Sequence, residues 1–128
     1  MFVNLSNHPS GKWTAEQINA ASRLYGEVRD LPFPAVPTLA TPDDVAVMAD
    51  EYVARAFAMR EECADNTHSF AVMVQGEFTL TYAIVKRFKE AGVTVVSAVS
   101  DRVVSEQVVD GEVRKTAIFR FAGFREYV

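Results

Sequence analysis

The sequence predicts an α/β fold: a three-layer Rossmann-like sandwich with a mostly parallel sheet and a C-terminal antiparallel β-hairpin. Three observations carry that expectation. Short apolar runs alternate with segments of helical periodicity up to residue 99, and strands separated by helices call for right-handed crossovers and parallel pairing. Two of the three helical segments have capping residues at their starts, and two stop at a glycine. Asp110 and Gly111 stand between two β-rich runs, the strongest short signal for a two-residue hairpin turn.

Phe2 to Ser6 reads as a buried strand followed by the polar loop Asn7, His8, Pro9 and Ser10. In the first helix Thr14 and Gln17 have capping-box spacing, Ile18, Ala21, Leu24 and Tyr25 share a face, and Gly26 ends the pattern. Val28 to Leu31 is the second strand. Four of the five prolines fall between Leu31 and Pro42, which denies that segment helix and ladder donors and makes it an extended loop. Thr41 caps the second helix, with Pro42 at its first position and Asp44 at its third. Its apolar face runs from Val45 and Met48 through Ala49, Tyr52, Val53, Ala56 and Phe57, and it ends near Glu62.

Ser69 to Val74 is a continuous apolar run, expected of a strand covered on both faces. The third helix spans about Glu77 to Ala91 and is closed by Gly92. It is apolar on two sides, with Phe78, Thr81, Tyr82, Val85 and Phe88 on one and Leu80 and Ile84 on the other. In so small a chain the second side predicts contact with a second subunit. Val93 to Val99 is the fourth strand, ended by Ser100, Asp101 and Arg102, and Val103 to Val109 with Val113 to Phe121 form the hairpin. Gly123 to Val128 extends its last strand.

A chain of 128 residues, 49% hydrophobic and 23% charged, has the apolar surface for one domain over residues 1–128 and no room for a multidomain enzyme. Its net charge of −4 gives no general attraction to duplex DNA or to an anionic membrane, so a nucleotide ligand needs a local positive site. The lone cysteine, Cys63, has no disulfide partner, which suits a reducing compartment. The opening MFVNLSNHPSGKW lacks the features of a secretory signal and no segment is long enough to span a membrane. A cytoplasmic protein is expected.

Ligands of parallel sheets bind beyond the carboxyl ends of the strands. Those ends carry Ser6, Asn7, His8, Ser10, Lys12 and Trp13 after the first strand, Phe33 after the second, Gln75, Gly76 and Thr79 after the third, and Ser100 and Arg102 after the fourth. The densest group is Asn7 to Trp13, a loop leading into a helix N-terminus where phosphate can meet backbone N–H groups and a base can stack on the indole. Gly76 permits close approach at the next helix start, with Thr79 as a donor, although Glu77 places a negative charge there or serves the helix dipole. Arg102 can clamp phosphate or pair with Asp101. His8 is the acid/base candidate, because His68 starts a strand at the other rim. The two histidines are far apart and no carboxylates cluster with them, so neither metal nor cofactor is expected. There is no phosphate-binding glycine motif of either common type and no serine nucleophile elbow.

The segments NLSNHPSGKW with AEQ behind it, YGEVRDLPFPAV, QGEFTLTYAIVKRFKEAGVTVVSAVSDR and FRFAGFREYV resemble, over nearly the whole chain, a small bacterial family of stand-alone proteins found beside CRISPR loci. The strand, GEFTLTYAIVK helix, strand and SDR unit is similar to the CRISPR-associated Rossmann fold, CARF. Dimers of that fold bind cyclic oligoadenylates across a two-fold axis, and ring nucleases among them cleave the ligand. The resemblance implies a homodimer binding cyclic oligoadenylate in type III CRISPR defence, with Ser6 to Ser10 and Gly76 to Thr79 touching phosphate or adenine. It implies metal-independent cleavage in which the ribose 2′-hydroxyl attacks the adjacent phosphate, with His8 as acid or base and Lys12 and Arg102 on the phosphate. Two readings from other classes stand beside it: an interaction protein or ligand sponge without catalysis, and a nucleotide-processing enzyme on the same type of sheet.

Overall fold

Strand β1 (Phe2–Ser6) is buried along its whole length, and its side chains alternate between the two faces of a sheet. The computed structural model, which describes residues 1–128, is a mixed α/β fold built around that strand. β2 (Val28–Asp30) and β3 (Ala71–Gln75) flank it in parallel. β4 (Thr94–Val109) pairs parallel to β3 and antiparallel to β5 (Glu112–Glu126), giving the order β2-β1-β3-β4-β5.

Three helices, α1 (Ala15–Tyr25), α2 (Pro42–Glu62) and α3 (Phe78–Glu90), make the crossovers. The step from β1 to β2 goes one way along the sheet and the later steps go the other, so a single handedness puts α1 on one face and α2 and α3 on the opposite one. The packing follows: Phe2, Ala71, Met73 and Val96 join Ala21 of α1. Val3, Leu5, Val72, Val74 and Val95 join Val45, Ala49 and Ala56 of α2 and Leu80, Ile84, Val85 and Phe88 of α3.

The helix starts follow from their caps. Thr14 accepts from the Gln17 N–H, and Thr41 and Asp44 form a reciprocal capping box with Pro42 in the first turn. α3 is capped by Glu77, whose carboxylate takes the N–H groups of Thr79 at 2.6 Å and Leu80 at 3.1 Å. In the proline-rich segment, Leu31 and Phe33 still donate to Asn4 and Ser6, with prolines at the alternate positions 32 and 34. The segment thereby continues along β1 and drops the Phe33 ring against Gly76, where an added Cβ would lie 2.5 Å from the ring.

Two expectations are corrected. Ser100, Asp101 and Arg102 do not end the fourth strand; β4 runs through them, so the sheet has five strands and the hairpin is β4 continued into β5. A bulge between Val99 and Ser100 leaves Ala122 unpaired and bends the ribbon where it leaves the helices. Asp110 and Gly111, with φ of 55° and 79°, make the expected turn. On α3, Val85 and Phe88 belong with Leu80 and Ile84 on the buried side, leaving Phe78 and Tyr82 outside, 90% and 69% exposed. A sheet covers a wider arc of a helix than one row of side chains.

Gly76→Ala is expected to destabilise the fold by about 1–3 kcal/mol, the usual range for overpacking, and Phe33→Leu in the same chain should recover part of the loss in urea unfolding. Glu77→Ala should cost about 1 kcal/mol as a lost cap. The bonds from Thr79 and then Leu80 hold the Glu77 carboxyl below its ordinary value. Its contribution is therefore complete above the usual glutamate range and is lost as pH falls through the folded value. Stability curves of wild type and Glu77→Ala should converge in acid.

Candidate functional site

On the face covered by α1, β1 presents Phe2, Asn4 and Ser6, β3 presents Ala71, Met73 and Gln75, and β4 presents Val96, Ala98 and Ser100. Each strand is apolar at its start and polar or small at its carboxyl end. α1 covers only the apolar part, and a cleft of about 490 Å³ opens above the rest, within the range of small-molecule sites. Its walls come from the loop after β1, the start of α1, and the outer strands at Ser100, Phe119 and Phe121. The order 2-1-3-4 reverses between β1 and β3, and the cleft takes Asn7 from beyond the one and Gln75 from the end of the other. It therefore lies at the switch point where parallel sheets bind ligands.

The loop is held from below by Asn4, which is 1% exposed. Its Nδ2 donates to the His8 carbonyl at 2.8 Å and to Asp30 Oδ1 at 2.9 Å, and its Oδ1 accepts from Ser6 Oγ at 2.6 Å. Ser6 Oγ in turn accepts the His8 N–H at 3.1 Å. Asp30 also accepts from the Ser10 N–H and hydroxyl. Trp13 Nε1 donates to the same His8 carbonyl at 3.0 Å, and its ring meets Phe2 edge-on, with centroids 6.0 Å apart. Phe2, Phe124 and Phe121 continue this aromatic row at centroid spacings of 5.0 and 5.1 Å.

Of the residues expected from sequence, the structure brings Asn7, His8, Lys12, Trp13, Gln75 and Ser100 together in this cleft. Gln75 Oε1 accepts the Ala98 N–H at 2.8 Å, which leaves the donors of its Nε2 for a ligand. Arg102 stands two residue pairs further out on the face of Ser100, opposite Phe119. Ser6 and Ser10 are committed to the network under the loop. Phe33 and Gly76 pack on each other on the far face, so the approach that Gly76 allows is taken by a side chain of the protein. The Thr79 hydroxyl lies 2.7 Å from the Glu77 carboxylate.

Asp101 lies opposite Arg120 in the ribbon. His68 is at the opposite rim, with Nδ1 2.7 Å from Asp65. Sequence reasoning missed Asn4, Asp30, Phe119 and Phe121. An asparagine inside the run FVNLS was the signal for the first.

No carboxylate lines the cleft, although acidic residues outnumber basic ones 17 to 13 in the chain. It offers one ammonium, one imidazole, the amides of Asn7, Gln17 and Gln75, and three aromatic rings. Such a set suits an anionic ligand with flat apolar parts. No group of three or more His, Cys, Asp or Glu side chains is placed to hold a metal ion, and no helix is long and apolar enough to cross a membrane.

No curated protein sequence matches the chain. A family model matches residues 1–125, nearly the full length, and the chain belongs to the family it describes, the Uncharacterized protein MJ1673 family.

Proposed function

We propose that the chain binds a nucleotide in the rim cleft, that the ligand is a cyclic oligoadenylate, and that the protein opens its ring as a homodimer. The observation that carries this reading is the cleft's composition: three aromatic rings, a lysine and an imidazole without a single carboxylate. The Rossmann-like, CARF-like view of the sheet draws support from its strand order and from the position of the cleft at the switch point. Adenine would stack between Trp13 and the wall of Phe119 and Phe121, with the amides of Gln75 and Asn7 reading its edge. Phosphate would lie toward Lys12 and His8, with Arg102 at the outer margin.

A cleft of about 490 Å³ takes part of an oligoadenylate ring, and the remainder lies over its open outer margin beside Arg102. The exposed pair Phe78 and Tyr82 on α3 supplies the apolar surface for pairing. In the ring-opening step the ribose 2′-hydroxyl attacks the neighbouring phosphorus and the bond from phosphorus to the 5′-oxygen breaks. The 2′-hydroxyl proton leaves to a base, a proton is delivered to the 5′-oxygen, and a 2′,3′-cyclic phosphate and a 5′-hydroxyl remain. His8 carries the proton, while Lys12 and Arg102 stabilise charge on the phosphoryl oxygens.

Calorimetry with cyclic tetra- and hexa-adenylate, followed by chromatography of the products, tests the reading. Trp13→Ala should weaken binding by about 1–3 kcal/mol, the value of one stacked base. Lys12→Ala should weaken it without lowering the melting temperature. His8→Ala should slow cleavage about 100-fold or more and leave affinity nearly intact. Failure of the wild type to bind either ring overturns the proposal; binding without cleavage at any pH reduces it to a sponge or sensor.

A further inference from the structure

β4 pairs with β3 only over Thr94–Val96, and at Ala98 the Gln75 side chain takes the N–H. From Val99 to Val109 the strand keeps β5 on one side and has no strand on the other. Backbone groups alternate between the two edges of an antiparallel strand. The Ala98 N–H points away from β5, and the extra residue of the bulge, Ala122, belongs to β5, so the alternation continues unbroken along β4. Ser100, Arg102, Val104, Glu106 and Val108 accordingly turn their N–H and C=O groups to the open edge. Such a row is a template for another strand.

We infer that this strand is β4 of a second copy, antiparallel about a two-fold axis through Val104. Two observations fix that register independently. The open edge, from Val99 beyond Gln75 to Val109 before the turn, has Val104 at its midpoint. Arg102 and Glu106, the charged residues of the row, stand two positions either side of Val104, so each meets the opposite charge of the other copy. Asp101, on the other face, meets Gln107, and no like charges are opposed. Moving the axis one residue either way sets Arg102 against a valine and unpairs both charges. The other edge of the ribbon is guarded against its own kind, since β5 from Glu112 to Phe121 carries three basic residues and one acidic.

The register also reaches the cleft. Val108 of one copy stands beside Ser100 of the other, on the face that lines the cleft, and adds an apolar side chain to its outer wall. On the opposite face Val109 comes level with Val99, beyond Gln75 and toward the start of α3, where Phe78 is exposed. Each cleft is thus completed by the other copy. Arg102 has five N–H donors, enough to hold Glu106 and still face the outer margin of the cleft. The inference rests on the homodimer reading above and names its contact.

Cysteine placement and charge exchange on the full chain test it. At the axis Val104 faces its own counterpart with Cα atoms about 5.5 Å apart, within disulfide reach, whereas Val103 and Ser105 lie about 8 Å from theirs. With Cys63→Ser removing the native thiol, Val104→Cys should form a disulfide dimer under mild oxidation. Val103→Cys and Ser105→Cys should cross-link at least about tenfold less. In sedimentation, Arg102→Glu alone and Glu106→Arg alone should each raise the dimer dissociation constant about tenfold, because both pairs become like charges. Their equimolar mixture, and the chain carrying both exchanges, should return to the wild-type value, since glutamate again opposes arginine in both pairs. The altered β4 residues are exposed, and circular dichroism verifies folding. Equal cross-linking at the three positions, or exchanges that leave a wild-type dimer unaffected or fail to restore it, overturns this contact and leaves the homodimer reading standing. A wild-type monomer overturns both. Calorimetry of the wild type with cyclic tetra-adenylate reports separately on the nucleotide reading.

Discussion

The side-chain amide of Asn4 is the constraint from which the rest of the rim is organised. It sits on β1, between β2 and β3, with almost no exposure, where an unmet donor or acceptor costs about 1–3 kcal/mol. Its two hydrogens and its oxygen are satisfied by the His8 carbonyl, by Asp30 and by Ser6. Those partners belong to the loop after β1, the end of β2 and the end of β1. One residue therefore determines where the loop turns, where the second strand stops and, through the shared His8 carbonyl, where the indole of Trp13 lies. An apolar residue at position 4 would fit the strand and leave the loop without its anchor.

Unequal coverage of the two faces turns that anchored loop into a cleft. Two helices, one of 21 residues, cover one face. The other has only α1, whose 11 residues make a cylinder about 16 Å long and about 10 Å across. Five strands at about 4.8 Å spread over roughly 24 Å, so one helix covers less than half of the width. The uncovered part is where β3 and β4 carry Gln75, Ala98 and Ser100 and where Phe119 and Phe121 face solvent on one side. The site is what remains when a polar strand end meets a missing helix.

How much of this could be read in the sequence depends on the range of each interaction. Helix starts and the hairpin turn were legible because their determinants lie within three or four residues, as with Thr41, Pro42 and Asp44. The richness of Asn7 to Trp13 as a loop beyond a strand was legible for the same reason. The continuation of β4 was not. Ser100, Asp101 and Arg102 lie where solvent bathes both faces of the ribbon, and the period of two that marks a strand exists only where one face is buried. Nor was the Asn4 network, since Asn4 and Asp30 meet through the register of β1 with β2. The packing of Phe33 on Gly76 joins residues just as remote, and the aromatic wall comes from the last strand.

The carboxylate of Glu77 shows how a residue's sign alone misleads about a rim. From sequence it stands at a helix N-terminus after β3, against any anion that approaches. In the fold its oxygens are turned onto Thr79 and Leu80, and they complement the positive end of α3. That helix packs on the face opposite the cleft. The N–H groups that the carboxylate accepts from and the positive end of α3 offset part of its charge where it stands. The Phe33 ring seals the strand end on Glu77's side. An anion therefore meets a closed, acidic rim on one face and, on the other, an open rim that has Lys12 and His8 and is not lined by Glu77.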